Sequence, residues 1–395
     1  MTTHAKLSPS SAVRWMSCPG SVILSEGVEE EKSAYAEEGS LAHTLAEHTL
    51  KGLPFWEDLP DDMLENVEIY TKAIADYAKG HKLLVEQRLS IEHLTGEPGA
   101  QGTADAVIIA DDELQIHDLK YGRGVRVEAE RNEQLMIYAL AALREFEALG
   151  PFSRVRLVIH QVRLNSLSEW DCSVDELEVF RREVKKAADT ISDCYVDVRD
   201  GVPITPNLTP SEDACKFCKA KATCPSLRDF VLDQVTEGFH DLDKPLAPQL
   251  QDIAPPSDNA LLGNLLSVAD LIEGWLKAIR AKAEIELLHG NEVPGYKLVQ
   301  GRKGARSWID VNAVEDTFKS MRLKVDQMYD LKLISPTSAE KLLKDTPKRW
   351  SRVANLITQA EGAPSVAPIS DKRPAIKVES FSNLENAVEK EEVLA

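Results

Sequence analysis

The sequence predicts an α/β fold, a run of short strands bracketed by amphipathic helices and followed by a mainly helical C-terminal region. Three observations carry that expectation. Residues 83–121 hold three short apolar runs, "LLVEQRLSI", "TADAVIIA" and "ELQIHDLKY", each of strand length. On either side, residues 32–52 and 129–150 repeat apolar residues at helical spacing. Beyond residue 257 the longest periodic stretch, "NALLGNLLSVADLIEGWLKAIRAKAEIELLHG", is again helical and ends on a glycine.

Taken in order, "KSAYAEEGSLAHTLAEHTLKG" is the first helix, with Leu41, Leu45 and His48 or Leu50 near one face. After the turn-rich "LPFWEDLPDD", a second helix covers about 62–80. Strands follow at 83–91, 103–110 and 113–121, and Asp111–Asp112 makes a hairpin connection between the last two. The helix over 129–150 closes on Gly150. "RVRLVIHQVR" (154–163) alternates Val155, Leu157 and Ile159 as a strand does; "SEWDCSV" is a further strand candidate, and "DELEVFRREVKKAADTISDCYVDV" is helical. These shifts divide the chain into a core over 1–240, a Pro-rich linker over 241–257, a mainly helical accessory region over 258–360 and a disordered tail over 361–395. The accessory region includes a short hairpin at "GYKLVQGRKGARSWI".

A hydrophobic content of 43% with 28% charged residues is ordinary for a soluble protein. The apolar runs are too short to span a bilayer, and the first residues lack the apolar stretch of a signal peptide. Six cysteines in 395 residues are too few for a disulfide scaffold, so a cytoplasmic, reducing setting without a membrane partner is expected. The net charge of −19 sets a condition on any nucleic-acid reading, because such binders tend to be basic. Contact with DNA would have to run through local basic patches, with metal ions assisting. "LKYGRGVR" offers Lys120, Arg123 and Arg126, and "CKFCKAKATC" offers Lys216, Lys219 and Lys221.

The sharpest chemical signal is "GTADAVIIADDELQIHDLKYGRG". Asp105 lies near the start of one strand, Asp118 near the end of the next and Lys120 two residues on. Residues i and i+2 of a strand share a face, and hairpin pairing would bring Asp105 beside Asp118. Two carboxylates and a lysine converging at a solvent-facing strand end form a Mg²⁺-type site: hard oxygen ligands hold the cation, which polarises a phosphoryl oxygen, while the lysine steadies developing charge. D-x-K alone is weak, since "DLK" recurs at Asp330–Lys332 without an upstream strand carboxylate, where it reads as surface.

A second signal is C-x2-C-x5-C at Cys215, Cys218 and Cys224. Three clustered thiols in a reducing setting favour a metal, and a closed tetrahedral site takes four ligands. The remaining cysteines, Cys18, Cys172 and Cys194, are the candidates for the fourth.

The ordered set "GSLAHTLAE", "LLVEQRL", "GTADAV", "DLK" and "EQLMIYAL" resembles the nuclease motifs of the PD-(D/E)XK superfamily, in its RecB-like branch. The resemblance implies a restriction-endonuclease-like core, a central mixed sheet flanked by helices. It implies that His43, Asp105, Asp118 and the carbonyl of Leu119 bind Mg²⁺ or Mn²⁺, and that Lys120 serves the attacking water. Gln134 and Tyr138 would support the lysine or the DNA backbone, and Glu86 would join the catalytic set. In the iron-staple subset of that branch, which includes AddB-like enzymes, one cysteine precedes the nuclease motifs and three follow them. By that resemblance Cys18 is the fourth ligand of a [4Fe–4S] cluster with Cys215, Cys218 and Cys224, and Cys172 and Cys194 are buried core thiols. Structural Zn²⁺ is the alternative occupant of the same four thiolates.

The chain as a whole is similar to a phage- and prophage-associated family with this core. The expected function is therefore a metal-dependent DNA exonuclease that processes ends for recombination or replication. It would act in the cytoplasm of a bacterial host, beside a phage single-strand-annealing or single-strand-binding protein. The rival readings are a non-catalytic DNA-binding or scaffold protein and a structure-specific endonuclease of the same fold.

Overall fold

In the computed structural model the described residues are 5–28, 34–55, 59–236, 259–297 and 299, with 316, 319–321, 339–340, 342–344 and 346–354 further on. The chain forms two compact units, Met1–Gln300 and Gly301–Ala395. The described part of the second unit includes a short helix, Pro347–Ala354.

The first unit is built on a mixed sheet of five strands: β1 (Lys82–Ser90), β2 (Gln101–Ile109), β3 (Glu113–Leu119), β4 (Arg154–Gln161) and β5 (Ser166–Ser173). They lie side by side in sequence order; β3 and β4 run parallel and every other neighbouring pair is antiparallel. A parallel pair needs a crossover, and the chain makes it through a helix on one face of the sheet. The helices of this unit are α1 (Ala12–Ser17), α2 (Gly20–Leu24), α3 (Ala34–Lys51), α4 (Asp61–Tyr77), α5 (Glu92–Thr95), α6 (Glu133–Glu145), α7 (Val174–Arg199), α8 (Glu212–Lys216), α9 (Pro225–Thr236) and α10 (Asn259–Leu288). The fold is α/β, a mixed sheet flanked by helices with a helical C-terminal region, as the sequence led one to expect.

Strand alternation decides what lies on each face. Val107, Ile116, Leu157 and Ile159 point one way and pack against Leu135, Ile137 and Tyr138 of α6 and Leu177, Phe180 and Val184 of α7. Ala106 and Leu119 point the other way, against Ala42 and Leu45 of α3 and Val67, Tyr70 and Ile74 of α4. The 129–150 helix starts only at Glu133, because the Asn132 side chain accepts a hydrogen bond from Leu135 N and caps it there. Ser173 and Glu176 form a reciprocal capping box that sets the start of α7 immediately after β5. Leu271, Ile272 and Trp275 of α10 pack with Leu227 and Val231 of α9, so the compact unit runs on to Gln300. Residues 241–257, most of the 295–309 hairpin, Asp330 and the 361–395 tail lie outside the described residues.

Every residue of β3 is buried, including polar ones, and these must find partners inside. Glu113 Oε2 lies 3.3 Å from Arg154 Nη2, and Gln115 Nε2 donates to Glu113 Oε1 at 2.6 Å. That leaves Gln115 Oε1 to accept from His117 Nε2 at 3.1 Å, so His117 Nδ1 accepts in turn from His160 Nε2 at 3.0 Å. This pattern needs His117 neutral, since its Nδ1 accepts, and burial pushes His160 down to about 4 and holds His117 well below its ordinary value. The folded protein therefore resists a proton that the unfolded chain accepts below about pH 6.5. Stability is full above that value and falls as pH drops towards about 4, by on the order of 3 kcal/mol from His160. Urea unfolding of wild type and His160→Gln at pH 7 and pH 4.5 should show a shallower acid loss in the variant.

Candidate active site and cysteine cavity

The candidate site lies where β2 starts and β3 ends. One register step beyond the Ala106–His117 pair, Asp105 comes opposite Asp118. On the other side of β2, Glu86 falls between the Val85–Ala106 and Gln87–Ala104 pairs, at the position facing Asp105. Its φ is 52°, a backbone conformation that a glutamate rarely adopts and that is held only when the surroundings demand it. From α3, His43 reaches over with Nδ1 3.2 Å from Asp105 Oδ1. One ligand atom each from His43, Glu86 and Asp105 lies within 4.8 Å of the others.

A second group stands beside the first. Lys120 Nζ lies 2.9 Å from Asp118 Oδ2 and donates to Gln134 Oε1 at 2.9 Å, while Gln134 Nε2 donates to Asp118 Oδ1 at 3.0 Å. The backbone N–H of Leu119 donates to Asp105 Oδ2 at 2.7 Å and ties the two groups together. Asp118 is not part of the three-atom cluster, and Leu119 enters through its N–H. Asp118 Oδ2 is buried and, despite the nearby ammonium, lacks an aligned hydrogen bond. The expectation of a solvent-facing strand end needs correcting: Asp118 is buried at the end of the central strand, and only Lys120 keeps a part-exposed side chain. Gly102 lets Tyr138 close over β2, since a Cβ there would sit 2.7 Å from the Tyr138 ring.

Burial and crowding of like charges set the electrostatics. Glu86 is pushed up to about 7 by burial and then by the Asp105 charge. Burial also raises Asp118; Lys120 offsets part of this and Asp105 adds to it. Burial alone would lower His43, but the Asp105 hydrogen bond and the fields of Asp105, Asp118 and Glu86 carry it up to about 9. Burial alone would lower Lys120, but the Asp118 charge and hydrogen bond together with the Asp105 charge raise it. Tyr138 is raised by burial first and by the Asp118 and Asp105 charges second. The pocket thus holds more negative charge than its own cations neutralise. Hard carboxylate oxygens and one imidazole fit a divalent cation.

The four cysteines singled out by the sequence, Cys18, Cys215, Cys218 and Cys224, are all buried and line one cavity. Gly20 allows the N-terminal segment to approach the 204–208 connector, since a Cβ there would stand 2.9 Å from Leu208 Cδ2. Thr209 N–H donates to Cys18 Sγ at 3.3 Å and Leu227 N–H to Cys224 Sγ at 3.5 Å. Backbone donors on sulfur suit thiolates, and an all-sulfur donor set suits a soft metal or cluster. Cys172 packs in the sheet core and Cys194 is buried on α7.

The basic residues divide. Lys120, Lys216 and Lys219 line one cleft. Arg123 lies 3.3 Å from Asp62, Arg126 lies 2.8 Å from Glu128, and Lys221 turns back to donate to Lys216 O. Arg14 and Phe217, which the sequence reading passed over, line the same cleft as Lys120. A lone arginine in "SAVRW" and a phenylalanine between two cysteines carry no periodic signal that would have flagged them.

Residues 4–374 match the family described as "Protein of unknown function (DUF2800)". The chain belongs to that family. Among solved structures it is similar to SSO0001, at 13% identity over 54% of this chain and 84% of that one, with a TM-score of 0.25. It is also similar to LHK-Exo in complex with dAMP, at 16% identity over 48% and 96%, with a TM-score of 0.24. A second structure of that alkaline exonuclease, from Laribacter hongkongensis, matches at 11% identity over 48% and 96%, with a TM-score of 0.23. Likenesses of this size carry no inference about activity. Among the described residues no helix is long and apolar enough to cross a membrane.

The surplus charge makes a thermal prediction. Mn²⁺ or Mg²⁺ at a hundredfold excess over its Kd should stabilise the fold by about 2.7 kcal/mol. The rise in Tm should be lost in Asp105→Ala and unaffected by Asp62→Ala, in differential scanning fluorimetry with EDTA controls.

Proposed function

We propose that this DUF2800 protein is a metal-dependent DNA nuclease, an exonuclease that processes DNA ends. The observation that carries the reading is the meeting of His43, Glu86 and Asp105 with the Asp118–Lys120–Gln134 triangle across a single backbone hydrogen bond. His43, Glu86 and Asp105 would hold Mg²⁺ or Mn²⁺, with Asp118 as the further ligand that the sequence resemblance implies. A divalent cation supplies Lewis-acid polarisation of a phosphoryl oxygen and neutralises developing charge.

The chain's own residues do the rest. Asp118 and Gln134 hold the Lys120 ammonium in one orientation, so its remaining donor can position an attacking water and meet charge growing on the phosphoryl oxygens. The Asp118 charge keeps Lys120 protonated, which suits a charge-stabilising role. Tyr138, packed on Gly102 and close to Gln134, supports the triangle from behind. Cys18, Cys215, Cys218 and Cys224 would hold a [4Fe–4S] cluster that ties the N-terminal segment to the region after residue 208. Closing so long a loop favours the folded state. Action in recombination beside a phage single-strand-annealing or single-strand-binding partner remains part of this reading, on the sequence resemblance.

Two experiments test it. Lys120→Ala and Asp118→Asn should lower cleavage of linear DNA with Mn²⁺ by about a hundredfold or more while leaving the far-UV spectrum unchanged. Asp330→Ala should cleave as wild type does. Equal rates for Asp118→Asn and Asp330→Ala would place the chemistry elsewhere. For the cysteines, protein purified without air should carry iron and sulfide, lost alike in Cys18→Ser and Cys215→Ser but kept in Cys172→Ser. Zinc in place of iron would reject the cluster and keep the four-thiolate tie; full metal content in Cys18→Ser would reject the tie.

A further inference from the structure

A cleft of about 770 Å³ opens beside the candidate active site. Lys120 and Gln134, both in the catalytic triangle, form one end of it. The N-terminal segment around Arg14 lines it, as do Lys216 at the end of α8 and Phe217 and Lys219 just after. Its volume is in the range of small-ligand pockets, roughly 300–1,000 Å³, which gives room for a few nucleotides of one strand.

Two features of the lining point to an occupant. The first is charge. In a chain of net charge −19, the lining carries five lysine and arginine side chains against two carboxylates, Glu26 and Asp213. Glu26 and Lys6 offset one another at 2.7 Å and Lys120 is paired with Asp118, so the balance rests on Arg14, Lys216 and Lys219 against Asp213. The second is Phe217, an aromatic ring 81% exposed in the lining of a cleft rich in cations. The ring is not on a free loop. Cys215 and Cys218, on either side of it in sequence, are buried in the cysteine cavity, so the two anchors hold the Lys216–Phe217 dipeptide outward into the cleft. Lys216 Nζ stands 5.9 Å from the ring centroid, a cation beside an aromatic face. A fixed aromatic ring among cations, leading to a phosphodiester-cutting site, is the arrangement that binds single-stranded nucleic acid: cations track the phosphates and the ring stacks on a base.

We infer that this cleft is a single-strand DNA site, with Phe217 the stacking platform for one base and Arg14, Lys216 and Lys219 the phosphate contacts that lead the strand to Lys120. The inference rests on the nuclease reading for the identity of the strand's destination. It makes Phe217 a specificity-determining residue that selects an unpaired end over a duplex. It also gives the C-x2-C spacing a second role, that of presenting the ring.

The test uses the full chain in EDTA, so that cleavage does not interfere, and fluorescence anisotropy with three probes: a fluorescein-labelled oligo-dT, an abasic oligonucleotide of the same length and a blunt duplex. Phe217→Ala should weaken oligo-dT binding about tenfold, the size of one lost base stack, and Phe217→Trp should restore it. Abasic and duplex binding should be the same for all three proteins. Equal oligo-dT affinity for wild type and Phe217→Ala, an equal loss on the abasic probe, or a wild type that prefers the duplex would each overturn the inference. Cleavage is scored separately with Mn²⁺. Activity abolished by Lys120→Ala alongside unchanged Phe217→Ala binding would sink the strand site alone. Loss of oligo-dT binding in Phe217→Ala, with a wild type inert towards DNA, would keep the strand site and reject the nuclease.

Discussion

A carboxylate at the buried end of the central strand is the constraint on which the rest of the site depends. Asp118 belongs to a strand that is buried along its whole length, and a buried carboxylate is tolerable only if its charge is met. Lys120 and Gln134 meet it from two sides. That requirement places α6 against the end of β3, and α6 in turn brings Tyr138 onto Gly102. A lysine held in this way has lost its freedom to swing. The ordering entropy is spent in folding, before any substrate arrives.

The same economy of partners runs through the opposite face of β3. Glu113, Gln115, His117 and His160 pass hydrogen bonds along the strand in one consistent direction. The direction is set by Gln115, which spends its amide donor on Glu113 and so must accept from His117. Both faces of one strand therefore carry buried polar chains. The chain ending at Asp118 closes on the Lys120 ammonium and the Gln134 amide, and the chain of histidines on Gln115.

The cysteine cavity and the cleft are coupled through two residues of backbone. Gly20 and Thr209 bring the N-terminal segment against the connector that precedes α8, and the sulfurs of Cys18 and Cys224 accept backbone N–H groups. With Cys215 and Cys218 buried, Lys216 and Phe217 face outward. The contacts that bring the N-terminal segment against the connector thus also support a surface next to the candidate site.

Much of this was legible in one dimension. Strand length, helical spacing and hairpin punctuation located β1 to β4 and the helices around them, because alternation and the helical period are properties of local chain geometry. Asp105, Asp118 and Lys120 were legible for the same reason, whereas His43, Glu86 and Gln134 came through the resemblance to nuclease motifs. Which of them share an oxygen or a proton was not. Glu86 faces Asp105 through a left-handed backbone turn inside a strand, a conformation that local propensity argues against and that only its neighbours impose. Asp118 looked solvent-facing because strand ends usually are; it is buried because β4 and α6 cover it, and both arrive from later in the chain. Arg14 and Phe217 lie far apart in sequence and meet only across the cleft. By itself the sequence determined the elements and the chemistry they carry. The tertiary structure decided the pairings, since desolvation and hydrogen-bond partnership depend on distances that no local pattern encodes.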